Sequence, residues 1–253
     1  MSNNSRQDKI FNLLETEERM SVSDLAAFFH VTETTIRRDL NMMEANKQIV
    51  RRRGYAELPD RGYGMTLRRR NTFQDEKRRI AKKAAGMLRY GSTLALDSGT
   101  TIAELVHVMA EQCTDLSLDI VTCSLKTAYE TCRYFRTSIP GGSIFADELS
   151  ISGMSAIRFF ENITVDIAFL GSTGISGTQG LTVSYPLILD VKQAIISCAA
   201  KKVALLDSSK FAARGIYTFC PFSELDAIIT VRTEQNAEVL DQIAQQGVEI
   251  ILA

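Results

Sequence analysis

The sequence predicts an α/β protein in two parts: a small helical unit at the N-terminus and a larger body built on a mostly parallel sheet. Three observations predict it. Apolar-periodic segments crowd the stretch from Ile10 to Met43, apolar β-prone runs alternate with helical ones after Ser92, and the two regions carry opposite charge. From Arg37 to Lys83 there are 15 Lys/Arg against 6 Asp/Glu, a net of +9, whereas Ala84 to Ala253 has 11 against 18, a net of −7. A basic segment on an acidic body implies a polyanionic partner for one part of the chain only. The 253 residues, 45% of them hydrophobic, suffice for one small and one medium core.

Composition also excludes classes. Met1 to Glu18 is polar and mixed in charge, so no signal peptide is expected. No apolar run approaches the roughly 20 residues that span a bilayer, so no membrane partner is expected. Cys113, Cys123, Cys132, Cys198 and Cys220 form no CxxC pair, and only His30 and His107 could join them, so neither a metal nor a cofactor is expected. Reduced thiols in a cytoplasm are the simplest reading.

The elements follow in order. Ile10, Leu13 and Leu14 mark a first helix. Val22, Leu25, Ala26 and Phe29 repeat at i, i+3, i+4 and i+7 for a second, opened by the capping pattern Ser21-x-x-Asp24. Ile36, Leu40 and Met43 are the buried stripe of a third, beginning near Thr32. His30 to Glu33 leaves so short a connection that the last two helices must cross steeply, as in a helix-turn-helix. At about 100° per residue, burying Ile36 and Leu40 turns Thr34, Arg38 and Asn41 outward, with Thr35 and Arg37 on the flanks. That face offers hydrogen-bonding groups and cations suited to base edges and phosphates of double-stranded DNA. The β-prone stretch Ile49 to Leu58, broken by Gly54, reads as a wing that lays Arg51, Arg52 and Arg53 along the phosphate backbone. The alternative is a three-helix interaction module with a solvated basic face.

Thr34-Thr35-Ile36-Arg37-Arg38-Asp39-Leu40, preceded by Leu25-Ala26 and followed by Arg53-Gly54, resembles the winged helix-turn-helix of DeoR-type bacterial repressors over about residues 6–58. The wing departs from that family's usual Gly-Gly-Ala, carrying Gly54-Tyr55-Ala56, and a tyrosine takes positive φ only with strain. The sequence therefore divides into a DNA-binding domain at 1–58, a linker at 59–73 and a second domain at 74–253. Pro59 to Gly64 is the hinge candidate, and Arg68-Arg69-Arg70 behind it is either solvated or a DNA-touching arm.

Gln74 to Leu88 opens the second domain as a helix with Ile80, Ala84 and Leu88 on one face. Candidate strands then run Thr93–Asp97, Leu118–Thr122, Asp166–Leu170, Val203–Asp207, Ala227–Val231 and Val248–Leu252, with helices at Thr100–Glu111, Leu125–Phe135, Leu187–Ala199 and Glu234–Gln246. Ligands of such sheets bind beyond the carboxyl ends of the strands. Asp97-Ser98-Gly99-Thr100-Thr101 is one such exit, where hydroxyls and free N–H groups at a helix start suit a phosphate. Thr122-Cys123-Ser124, Pro140-Gly141-Gly142 and Asp207-Ser208-Ser209-Lys210 are three more, and Lys210 and Lys192 supply cations. Each turn alone is better explained by helix capping, and it is the four converging on one sheet edge, with lysines, that favour an anionic-ligand pocket.

These motifs, with Gly174 to Thr182 and Asp190-Val191-Lys192, are similar in order to the sensor domain of the same DeoR-type family. The resemblance implies a fold like ribose-5-phosphate isomerase and a phosphorylated sugar or sugar alcohol as effector, and a helix-turn-helix that reads half a site implies a homo-oligomer. It implies phosphate contacts from Ser98, Gly99, Thr100 and Thr101, and places Asp207 and Lys210 at the sugar end with Lys192 close by. Cys123 stands where that family commonly has Asn and either alters the sugar held or packs inertly, and Val231-Arg232 replaces a common Thr-Asp. A ligand-released repressor without catalytic residues is the resulting expectation. The alternative is an isomerase-like enzyme with a DNA-binding tail, using Asp97, Asp207 or Glu148 as acid/base groups.

Overall fold

The computed structural model describes residues 6–7, 9–10, 13–14, 17, 19–46, 48–52, 54–57, 73–146 and 148–253. The chain forms two compact units, Met1–Thr72 and Phe73–Ala253. The expected hinge Pro59 to Gly64 and the run Arg68 to Arg70 lie outside the described residues, as does Arg53.

In unit 1 the described residues between 6 and 14 are helical (α1), followed by α2 at Val22–Phe29 and α3 at Glu33–Ala45. An isolated eight-residue helix such as α2 is too short to persist in water, so its caps and buried face hold it. Ser21 Oγ accepts from the Asp24 amide at 3.0 Å and donates to the Asp24 carboxylate at 2.6 Å. His30 ends α2 in the left-handed region at φ 52°, and Thr32 caps α3 through the Thr35 amide at 3.3 Å. Ile10, Leu14, Leu25, Ile36 and Leu40 are fully buried at the junction of the helices. Each such side chain contributes about 2 kcal/mol of burial.

The third helix also hides a charge. Asp39, between outward Arg38 and inward Leu40, is 1% exposed and meets Arg6 of α1 at 2.5 Å. The wing is a three-stranded sheet in the order β1-β3-β2, from Met20–Ser21 (β1), Val50–Arg52 (β2) and Tyr55–Glu57 (β3). Arg52 faces Tyr55 across the hairpin, and the positive φ of the turn, 90°, falls on Gly54. Tyr55 lies in β3 with the Arg19 guanidinium 5.2 Å from its ring centre. Its place in the sequence therefore strains nothing.

Unit 2 carries a seven-stranded parallel sheet in the order β14-β13-β11-β9-β4-β5-β6. Its strands are Thr93–Leu96 (β4), Asp119–Val121 (β5), Arg136–Ser138 (β6), Val165–Leu170 (β9), Ala199–Leu206 (β11), Ala227–Thr230 (β13) and Glu249–Leu252 (β14). Helices Gln74–Ala85 (α4) and Thr100–Gln112 (α5) cover one face. Met154–Glu161 (α7), Leu189–Ser197 (α8) and Ala237–Ala244 (α9) cover the other. Successive residues of β9 explain its unbroken apolar run: Ile167 and Phe169 face α4 and α5, while Ala168 and Leu170 face the second layer.

All six expected strands form, while several helix limits move: Gln74–Leu88 closes at Ala85 and Glu234–Gln246 narrows to Ala237–Ala244. The helix expected over Leu125–Phe135 stops at Thr131 (α6, Leu125–Thr131), because Arg136 to Ser138 is claimed by the sheet edge. The helix expected to Ala199 ends at Ser197, since Ala199 already pairs with Val165. Helix α7 and four short strands outside the sheet, Ser143–Phe145 (β7), Ser150–Ser152 (β8), Gly180–Val183 (β10) and Tyr217–Pro221 (β12), were not anticipated. From β4 the chain runs outward to β5 and β6, then returns to place β9 on the opposite side of β4. The topological switch point therefore lies between β4 and β9, where ligands of open parallel sheets bind.

Candidate DNA-reading face and anion cradle

On α3, Thr34, Arg37, Arg38 and Asn41 are exposed and Thr35 is half-buried. They divide by occupation. Thr35 shares its hydroxyl with Thr32 at 2.9 Å, and Arg37 pairs with Glu33 one turn back at 3.0 Å. Asn41 accepts a hydrogen bond from Arg51, which ties the helix to the wing across ten residues of sequence. Arg52 pairs with Glu57 across the hairpin at 3.0 Å. Among the described residues, Arg38 is the arginine of this face whose guanidinium has no protein partner. It stands free to take up two acceptors on one base edge or a phosphate.

At the switch point of unit 2, Asp97 leaves β4 fully buried. Its Oδ1 accepts from the Ser98 amide at 2.8 Å and its Oδ2 from the Gly171 amide at 2.9 Å, at the end of β9. The Lys192 ammonium of α8 pairs with the same Oδ2 and lies 4.8 Å from the centre of the Phe219 ring. Gly171 is required by proximity: a Cβ there would lie 2.7 Å from the Ser98 carbonyl oxygen. Asp97 and Lys192 thus neutralise one another as the floor of the crevice.

Above that floor, α5 begins without a side-chain cap and without an acidic residue in its first turn. Gly99 sits at φ 130°, a conformation other residues seldom adopt. Among the described residues, nothing accepts from the amides of Gly99, Thr100, Thr101 and Ile102. With the hydroxyls of Ser98, Thr100 and Thr101 beside them, these N–H groups form an open cradle at the positive end of a 13-residue helix, suited to phosphate oxygens.

The remaining expected residues surround this cradle with local duties. Ser124 Oγ caps α6 on the Thr127 amide at 3.2 Å. Gly142 lets β7 approach β8, since a Cβ there would lie 2.6 Å from Ser152 O, whereas Gly141 is open. Asp207 caps its own turn through the Ser209 amide at 3.1 Å. Lys210, half-buried, ends that turn beside Ile175, whose amide donates to the Lys210 carbonyl at 2.9 Å. The ends of β4 and β11 are separated by β9 alone, so the cradle and the Asp207–Lys210 turn stand roughly 10 Å apart, two strand spacings. Cys123 receives a hydrogen bond from Ser150 at 3.3 Å, and burial pushes its thiol up to about 11. It is a protonated packing group at neutral pH.

Sequence reasoning missed Gly171, Phe219 and Glu76, whose carboxylate accepts from the Ser208 amide at 2.8 Å and hydroxyl at 2.9 Å. None carries a local signal, because each acquires its role from a distant partner. All five cysteines are free, and among the described residues no cluster could hold a metal and no helix is long and apolar enough to cross a membrane.

Comparison with known proteins adds the following. The DeoR-like helix-turn-helix domain family matches residues 6–61, and the DeoR C terminal sensor domain family matches residues 72–232. An uncharacterized HTH-type transcriptional regulator of Haemophilus influenzae is 31% identical over 258 residues, covering 98% of this chain and 96% of that one. The glycerol-3-phosphate regulon repressor of Escherichia coli K12 is 30% identical over 233 residues, 91% of each chain. Ribose 5-phosphate isomerase A of Methanocaldococcus jannaschii overlaps 54% of each chain at a TM-score of 0.39 and 19% identity.

Proposed function

The chain belongs to the DeoR family of transcriptional regulators, and from that premise we propose that it represses a carbohydrate-utilisation operon and leaves its operator when a phosphorylated sugar or sugar alcohol occupies unit 2. The observation that carries this reading is the set of four amides at Gly99 to Ile102 that have no acceptor among the described residues, opening on the switch point beside a neutralised floor. The phosphate sits on those amides and the hydroxyls of Ser98, Thr100 and Thr101. The polyol extends toward Asp207 and Lys210, with Ser124, Gly141 and Gly142 on the opposite, β5–β6 side of the cradle. The Escherichia coli relative, a glycerol-3-phosphate regulon repressor, supports a phosphorylated polyol as the effector class.

In this reading residues 1–58 are the DNA-binding domain, 59–73 the linker and 74–253 the sensing domain. Thr34, Thr35, Arg37, Arg38 and Asn41 read the major groove of double-stranded DNA, and Arg51, Arg52 and Arg53 track its backbone. One helix-turn-helix reads half a site, so the protein acts as a homo-oligomer in the cytoplasm. Binding without turnover is supported by Asp97: both carboxylate oxygens are engaged, and a base so neutralised by Lys192 is poorly placed to abstract a carbon-bound proton.

Calorimetric titration of the purified chain with phosphorylated pentoses, hexoses and hexitols tests the assignment. Saturable binding with the sugar recovered unchanged is expected. Isomerised product would favour the enzymatic alternative, and no binding by any of them would remove the sensor reading.

A further inference from the structure

The first turn of α4 grips both walls of the cradle. Glu76 takes the Ser208 amide and hydroxyl at 2.8 and 2.9 Å, which fixes the turn that ends in Lys210. Gln74 and Arg78, on either side, both donate to Glu104, at 2.8 and 2.9 Å. Glu104 is 3% exposed and stands one turn beyond Thr100 on α5, the helix whose N-terminus forms the cradle. A single helical turn therefore spans the roughly 10 Å between the two walls. That turn is also where unit 2 begins. Its leading residue, Phe73, holds φ 56° with no side-chain cap, a conformation that a bulky residue keeps only when its surroundings impose it.

We propose that Glu76 is the positioning residue that converts occupancy of the cradle into a change at the entrance to unit 2; the proposal rests on the sugar-phosphate reading above. A bound phosphorylated polyol draws the cradle amides and the Asp207–Lys210 turn onto one molecule, which resets the separation of Ser208 and Glu104. Helix α4 is clamped to both and cannot stretch along its hydrogen-bonded axis. The adjustment passes to its N-terminal turn and shifts the population of the Phe73 conformation. Residues that merely hold the unit together would alter its stability without altering this response.

The test is hydrogen exchange of the full-length chain with each phosphorylated pentose, hexose and hexitol of the titration above as the probe, comparing the amides of residues 99–102 with those of residues 77–81 in α4. In the unsubstituted chain, at least one of these compounds slows exchange at both sites, by at least about fivefold, the lower bound of ordinary allosteric coupling. Glu76→Ala keeps the slowing at 99–102 and loses it at 77–81. Ser208→Ala, which removes one of the two hydrogen bonds to Glu76, gives an intermediate response and decides the matter if Glu76→Ala does not fold. Slowing at 99–102 with unchanged exchange at 77–81 in the unsubstituted chain overturns this proposal alone. So does full slowing at 77–81 in Ser208→Ala. No slowing at 99–102 overturns the phosphate reading on which it stands.

Discussion

The outward face of α3 and the cradle of α5 are both polar helix surfaces offered to an anion, yet they are built in opposite ways. On α3 the chemistry is in side chains: Thr34, Arg38 and Asn41 project from a helix whose other face is buried through Ile36 and Leu40. On α5 the chemistry is in the backbone, with the hydroxyls of Ser98, Thr100 and Thr101 beside it, and the other polar side chains of the site are engaged by the fold. Asp97 spends its oxygens on Ser98, Gly171 and Lys192, Ser124 caps α6, and Asp207 caps its own turn. A side-chain site loses function when its residue is truncated. A backbone site loses function when the groups that shape the backbone are removed.

The largest effect expected from that contrast is structural. Asp97→Ala leaves the Lys192 ammonium buried and unpaired, which costs about 3–5 kcal/mol. At roughly 2–4 °C per kcal/mol for a unit of this size, thermal unfolding of unit 2 should fall by about 10 °C. The double variant Asp97→Ala with Lys192→Met should recover most of the loss. A single variant as stable as the unsubstituted chain would mean that the floor of the crevice is not held by this pair.

Next comes Arg38→Ala. Among the described residues nothing pairs with its guanidinium, so the fold should be unchanged while specific operator affinity falls by roughly 1–3 kcal/mol, about fivefold to 150-fold. Retained footprinting on the operator would move base reading elsewhere on the helix. Arg51→Ala, at the wing, should weaken binding to all sequences alike and lower the slope of affinity against salt by about 1. An unchanged slope would take Arg51 off the phosphate backbone and leave it as the partner of Asn41.

The smallest effect is on pH dependence. Burial holds the Cys123 thiol at about 11, above its value in an unfolded chain, so its contribution to stability is complete below the ordinary thiol range and declines as pH rises toward 11. Cys123→Ala should flatten the loss of stability between pH 9 and 11, measured by denaturant midpoints, at a constant cost from the missing packing. An identical alkaline slope in both proteins would assign that loss to other groups.

How much of this could be read from the sequence follows the same division. The helices of unit 1 were legible because burial imposes a 3.6-residue period on Leu25, Ile36 and Leu40, and the outward set follows from that geometry. The strands of unit 2 were legible because both faces are covered, so Ala227 to Ile229 is apolar throughout and Thr230 is buried with them. The edge strand Arg136–Ser138 was not, since three partly exposed polar residues carry no period. Nor was the pairing of Asp39 with Arg6, or of Glu76 with Ser208, because partners 33 and 132 residues apart leave no local trace. The strand-to-helix turns could be located as sites but not divided into ligand contacts and caps, because Ser, Thr, Asp and Gly serve both purposes.

The central claim is that occupation of the α5 cradle decides whether the α3 face stays on DNA. Its most direct test is the affinity of the full-length protein for its own operator, selected from random duplexes, measured at fixed salt with and without each phosphorylated sugar or polyol. The account predicts that at least one of them weakens operator binding about tenfold, equivalent to about 1.4 kcal/mol of coupling. Operator affinity unmoved by every compound that binds the protein, or no operator selected even at low ionic strength, would contradict it.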